Sequence, residues 1–216
     1  MFIAAAPFEG RIKIEHITPA QIRERLRASY QQVDLPQTDG YIPRTAQDEK
    51  RDLRCAAVLI PLTFYADEWH LLFTRRTDKM KKHSGQVSFP GGSCDAEDEN
   101  HEETALREAE EEIGLWRKDV QILGRVNEIV TVTYFEVTPI VGIFEFPYSF
   151  TVSTIEVGRV FTMPLNWLAN PNNYWELQHP SAKYPTIAYH PYDGELLWGA
   201  TARIVQNFIK TINITA

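Results

Sequence analysis

The chain alternates between two hydrophobic periods. From Thr18 to Val33 the apolar positions Ile22, Leu26, Tyr30 and Val33 recur at helical spacing. Thr18 can cap this helix, Pro19 suits its first turn, and Gln21 completes a capping box. A polar stretch with Pro36, Gly40 and Pro43 follows and reads as a connecting arm. Cys55 to Leu62 and Trp69 to Thr74 then read as strands joined by a turn near Ala66 and Asp67. After a polar loop from Lys79 to Ser84, Pro90-Gly91-Gly92 punctuates the chain. A helix is predicted from Asn100 to Ile113, with Gly114 as its stop. Further strands are expected at Gln121–Val130, Phe135–Phe146 and Val157–Phe161, a short helix at Leu165–Leu168, and a last helix at Gly199–Ile212. Mixed strands with helices before, between and after predict an α/β layered sandwich. The chain divides into an N-terminal helix and arm, residues 1–50, packed on a main domain, residues 51–216.

Composition narrows the function. The 216 residues carry 22 basic and 29 acidic side chains, a formal charge of −7, which disfavours a nucleic-acid coat and predicts no nucleic-acid partner. The longest uncharged apolar run, Cys55 to Leu62, is far short of the ~20 residues a membrane helix needs. No basic residue precedes the apolar start at Met1–Phe8, so no secretory leader is expected. Cys55 and Cys94 are too few for a disulfide framework and read as two reduced thiols in a cytoplasmic protein.

The chemistry concentrates in the helix before Gly114. Glu108, Glu111 and Glu112 stand at i, i+3 and i+4 and share one face, while Ala105, Leu106, Ala109 and Ile113 form an apolar stripe. Like charges so placed repel, and a hard divalent cation relieves them. The bland alternative is a solvated acidic face. Two features weigh against it: the Gly91-Gly92 loop, whose backbone can approach a ligand closely, and Arg107, which can brace a carboxylate through a bidentate pair.

This segment resembles the Nudix box: Gly, five residues, Glu, seven residues, Arg-Glu, an aliphatic, any residue, Glu-Glu, any residue, Gly. Arg107, Glu108, Glu111, Glu112 and Gly114 match the second half without a gap. In the first half, counting from Gly92 places Asp98 at the first acid with one extra residue after it; counting back from Arg107 places Glu99 there with Ser93 for Gly. The resemblance implies an α/β/α sandwich with a mixed sheet and metal-dependent hydrolysis of a nucleoside-linked diphosphate. It makes Glu108 and Glu112 the foremost ligands of Mg²⁺ or Mn²⁺, Glu111 a further ligand or a group that positions water, Gly92 a carbonyl ligand, and Arg107 the residue that orients the cluster. An acid outside the box often joins such sites; Glu156 is the candidate, with Glu128 and Glu136 behind it.

Residues 72–92 are similar to the signature of the coenzyme A pyrophosphatase subgroup of that family. Leu72, Thr74, Arg76, Gly85, Phe89, Pro90, Gly91 and Gly92 match with spacing intact; Phe73, Thr77 and Lys81 are replacements. The resemblance implies a coenzyme A-type substrate split into adenosine 3′,5′-bisphosphate and 4′-phosphopantetheine. Arg75, Arg76, Lys81, Gly85, Phe89 and Gly91 are the expected substrate-binding residues. Arg75, Arg76, Lys79, Lys81 and Lys82 make the loop basic enough to hold a phosphate. Lys81 keeps the charge of the signature arginine and loses its planar fork. Tyr174, Trp175, Tyr184, Tyr189 and Tyr192 could stack a base or line a pantetheine channel, but ordinary packing is the favoured reading. The rival functions are hydrolysis of another nucleoside diphosphate derivative and a non-catalytic module on the same scaffold. A small-molecule substrate is the expected partner, and a homodimer is left open.

Overall fold

The computed structural model describes residues 2–4, 12–14, 17–30, 37–38, 53–78, 84–178, 180, 185–212 and 214–215. In chain order its elements begin with β1 (Phe2–Ala4), β2 (Ile12–Lys13), α1 (Pro19–Ser29) and β3 (Gln37–Thr38). They continue with β4 (Arg54–Tyr65), β5 (Glu68–Arg76), β6 (Val87–Ser88), β7 (Gly91–Ser93) and α2 (His101–Ile113). Then come β8 (Gln121–Arg125), β9 (Ile129–Val130), β10 (Phe135–Ile143), β11 (Val157–Pro164) and α3 (Leu165–Ala169). The chain closes with β12 (Tyr174–Leu177), β13 (Thr186–Tyr189), α4 (Gly199–Ile212) and β14 (Ile214–Thr215).

The main sheet runs β11-β5-β4-β10-β9-β3, with β6 on β5, β7 on β4 and β8 on β10. It is mixed: β4 pairs antiparallel with β5 and β7 but parallel with β10. β4 is buried on both faces, which explains its nearly unbroken apolar run. Its alternation still sorts two cores. Ala57 and Leu59 join Ala105, Ala109 and Ile113 of α2 on one face; Ala56, Ile60 and Leu62 join α1 and α4 on the other. Strand periodicity therefore predicts which helix each residue meets.

α1 has the predicted Thr18–Gln21 capping box and buries Ile22 and Leu26. It stops at Ser29, so Tyr30 ends the helix; Val33 lies outside the described residues. Two readings change. The segment expected as one strand at Gln121–Val130 breaks into β8 and β9, which pair separately with β10. A further three-stranded sheet, β1-β12-β13, occupies a region where no strand was expected. Tyr174 and Tyr189 are buried there as packing groups, Trp175 lies edge-on to His190, Tyr192 leans on Trp167, and Tyr184 is outside the described residues.

The reduced-thiol expectation is corrected: Cys55 and Cys94 form a disulfide. The cause is register. β7 pairs with β4 so that Ser93 lies opposite Ala56, and the two cysteine Cα atoms fall 5.4 Å apart, within disulfide range.

Candidate active site

Local signals build α2. Asn100 Oδ1 accepts from the backbone N–H of Glu102 (2.8 Å) and Glu103 (3.1 Å), satisfying two of the helix's free donors. Gly114 ends it in the left-handed conformation at φ 66°, and a Cβ there would meet Thr151 at 2.8 Å. The apolar stripe docks on the sheet, which turns Glu108 and Glu112 toward β7.

The two loop glycines let that docking be close. A Cβ on Gly91 would fall 2.5 Å from the Ala57 carbonyl oxygen, and one on Gly92 would fall 2.4 Å from Glu108 Oε1. The expected close approach is thus to β4 and to a carboxylate.

Glu112 is 5% exposed, and among the described residues nothing hydrogen-bonds its Oε2. Burial, followed by the negative charge of Glu108, pushes its pKa up to about 8; Arg76 and the Gly91 N–H pull the other way. Glu108 is also raised, chiefly by burial, against the lowering effect of Arg107. A buried oxygen without a donor beside a second raised carboxylate is what a cation-binding pair should be in the absence of its cation. The oxygen set fits Mg²⁺ or Mn²⁺, which favour hard ligands.

Arg107 holds the cluster in shape. Its Nε and Nη2 both donate to Asp98, at 3.0 Å each, and Nη2 also reaches the Ser93 carbonyl oxygen at 3.1 Å. Nη1 donates to Glu108 at 3.0 Å and Glu111 at 3.4 Å. Asp98 accepts further from the Asp95 N–H and from Thr104 Oγ1, and the arginine beside it holds its carboxyl well below the usual range. The structure gives this partnership to Asp98 and leaves Glu99 exposed. Thr104 was not singled out in the sequence, and Ser93 entered only as a stand-in for the box glycine; its carbonyl contact with Arg107 was not foreseen.

The remaining expected residues separate. Glu156 lies close enough to raise both Glu108 and Glu112, whereas Glu128 hydrogen-bonds Tyr30 and Glu136 acts on the same tyrosine. Glu111 is on the rim, its side chain 62% exposed. Neighbours on a strand face opposite ways, and β5 splits the expected arginine pair. Arg76 acts on Glu112, while Arg75 is engaged with Asp78 at 2.6 Å and Glu195 at 3.6 Å. Gly85 forms the turn beside Arg75, its N–H donating to the Arg76 carbonyl oxygen. Phe89 is 3% exposed and stacks on Phe73, which places its ring in the core beneath the loop. Lys81 and the neighbouring Lys79 and Lys82 lie outside the described residues.

A small cleft of about 170 Å³ opens beside this loop, lined in part by Gln86, Val87, Val132 and Trp198. Two larger clefts, of about 530 and 810 Å³, include none of residues 107–112 in their walls. Donor chemistry, not cleft size, marks the site.

The NUDIX domain profile matches residues 53–162, just over half of the chain and all of the cluster described above. The chain belongs to the Nudix hydrolase family. A Nudix hydrolase of Yersinia enterocolitica, NudL, described as uncharacterized, is 39% identical over 160 residues, covering 74% of this chain and 82% of its own length. The NudL of Yersinia pestis is 35% identical over 184 residues, covering 85% and 92%. A MutT/nudix family protein of Enterococcus faecalis shares the fold, with TM-score 0.51 and 13% identity over 80% of this chain and 65% of its own. This Nudix hydrolase is accordingly a pyrophosphohydrolase with the α/β Nudix fold. Among its described residues no helix is long and apolar enough to cross a membrane.

Proposed function

We propose that this Nudix hydrolase cleaves the diphosphate of coenzyme A or its derivatives with the help of Mg²⁺ or Mn²⁺. The observation that carries the chemistry is the buried, undonated Glu112 Oε2 beside Glu108. Glu108 and Glu112 would hold the cation, with Glu111 and the Gly92 carbonyl as further donors. When bound, the cation supplies Lewis-acid activation of water and neutralises the diphosphate oxygens. Arg107 fixes Glu108 through Nη1 while its other nitrogens are anchored by Asp98. Glu156, exposed at the edge of the site, is the group we assign to accept the proton of the attacking water. Arg76 would offset substrate charge next to Glu112.

Support for the substrate comes from the signature residues. Thr74 and Arg76 are carried on β5, Gly85 turns the chain back, and Gly91-Gly92 seat it against β4. The signature thus leads from the predicted anion-binding loop directly to the carboxylates. The decisive measurement is a substrate panel with Mg²⁺ and Mn²⁺ and product masses. Coenzyme A should yield adenosine 3′,5′-bisphosphate. Cleavage of ADP-ribose or a dinucleotide with coenzyme A left intact would move the enzyme to another substrate class, and no cleavage of any would favour a binding module.

A further inference from the structure

A second constellation stands beside the carboxylate site. Cys55 lies near the start of β4, Cys94 directly follows β7, and His101 is the first residue of α2. The two sulfurs and an imidazole nitrogen lie within 4.8 Å of one another. Main-chain structure holds all three in place: the Cys94 N–H donates to the Cys55 carbonyl oxygen at 3.1 Å, and Asn100 caps the helix that presents His101. Cys55 is exposed and the other two are half-buried, so a small reductant and a cation have access.

The ligand chemistry differs from that of α2. Two thiolates and an imidazole form a soft set, suited to zinc-like cations and leaving one position of a tetrahedron open. The glutamates offer only hard oxygens. We propose that, once the Cys55–Cys94 disulfide is reduced, Cys55, Cys94 and His101 bind a soft cation of the Zn²⁺ class at a site separate from the carboxylates. Reduction by a dithiol takes two electrons and two protons into the pair and leaves the reductant as a disulfide. Metal binding then displaces one proton from each thiol. The disulfide and the metal are alternative clips for the same junction. Either one ties the exit of the glycine loop to β4, next to the Ser93 carbonyl that Arg107 uses. A reducing compartment would exchange the first clip for the second.

The test uses the full chain, reduced with a dithiol, freed of reductant under argon and titrated with Co²⁺ and then Zn²⁺. Two titratable thiols should appear, and one equivalent of Co²⁺ should give thiolate-to-cobalt charge-transfer absorption that Zn²⁺ abolishes. The oxidised protein should give none. Cys94→Ser and Cys55→Ser should each weaken binding by more than about 100-fold, and His101→Ala by at least about 10-fold. Glu112→Gln should keep the charge-transfer band, since it alters only the carboxylate site. The proposal is overturned by a folded protein whose disulfide resists reduction, by two free thiols without the band, by an unchanged His101→Ala titration, or by loss of the band in Glu112→Gln.

Discussion

Two arginines grip glutamates of the same helix, and the contrast between them separates function from surface chemistry. Arg117 donates to Glu103 at 2.6 Å and to Glu110 at 3.2 Å, with its side chain 46% exposed. Arg107 donates to Asp98, Glu108 and Glu111 with its side chain 20% exposed. In the outer cluster both glutamates have a cationic partner. In the inner cluster Arg107 is shared among several carboxylates, and Glu112 is left with a buried oxygen that the described residues do not serve. An acidic helix face is ordinary when every charge is met. The proposed site is where one is buried beyond the reach of its arginine.

The contrast can be broken at its strongest point. Glu112→Gln removes the charge and keeps the shape, and it should cut kcat by about a thousandfold, since a cation supplies several kcal/mol to the transition state. Circular dichroism should show the fold intact. Near-normal turnover would place the cation elsewhere.

Next comes the pH dependence of the metal-free protein. Glu112 has its folded pKa raised to about 8 from an ordinary value of 4.5, so the folded state holds a proton that the unfolded state gives up. Stability should therefore fall as pH rises through that window and level off above it, by on the order of 5 kcal/mol. Asp98, lowered by Arg107, contributes stability that is lost only at more acidic pH. Denaturant titrations in chelator across the window should show the slope in the natural protein and a much flatter one in Glu112→Gln. A pH-independent midpoint in both would contradict the burial argument.

Arg107→Ala should have a smaller effect on turnover, about 10- to 100-fold, because it disorients carboxylates without deleting them. It should also cost roughly 2–3 kcal/mol of stability by stranding the Asp98 carboxylate, which is held by Arg107 on two nitrogens. Arg117→Ala closes the series. Exposed pairs contribute little, so a loss below about 1 kcal/mol is expected, with activity unchanged and the difference shrinking further in high salt. A large effect on turnover would dissolve the distinction between the two clusters.

What could be read from the chain follows the range of each interaction. The Gly114 stop of α2 and its apolar stripe depend on neighbours within one or two turns, and both stand where the pattern puts them, while Asn100, read as part of the helix, caps it instead. The partner of Arg107 depended on a loop: the box spacing offered Asp98 by one counting and Glu99 by the other, and the loop gives Arg107 to Asp98. The disulfide was not legible, because it depends on how β7 registers against β4. The burial of Phe89 against Phe73 was not legible for a related reason: a motif fixes a residue's place along the chain and not the side its ring takes. Arg75 and Arg76 show the same limit, since only the placement of β5 in the sheet decides which of them meets α2.

The parallel pairing of β4 with β10 carries a consequence for how the enzyme is made. Cys55 lies opposite Glu136, and the whole stretch that bears the glycine loop and α2 is spooled out between them. During synthesis the glutamates of α2 leave the ribosome before the strand that completes the sheet beneath them. The β4–β5 hairpin can zip locally, but the floor of the site waits on a distant strand, whose closure is the entropically slow step. Until β10 arrives, the nascent chain displays an acidic helix with no finished sheet to hold it.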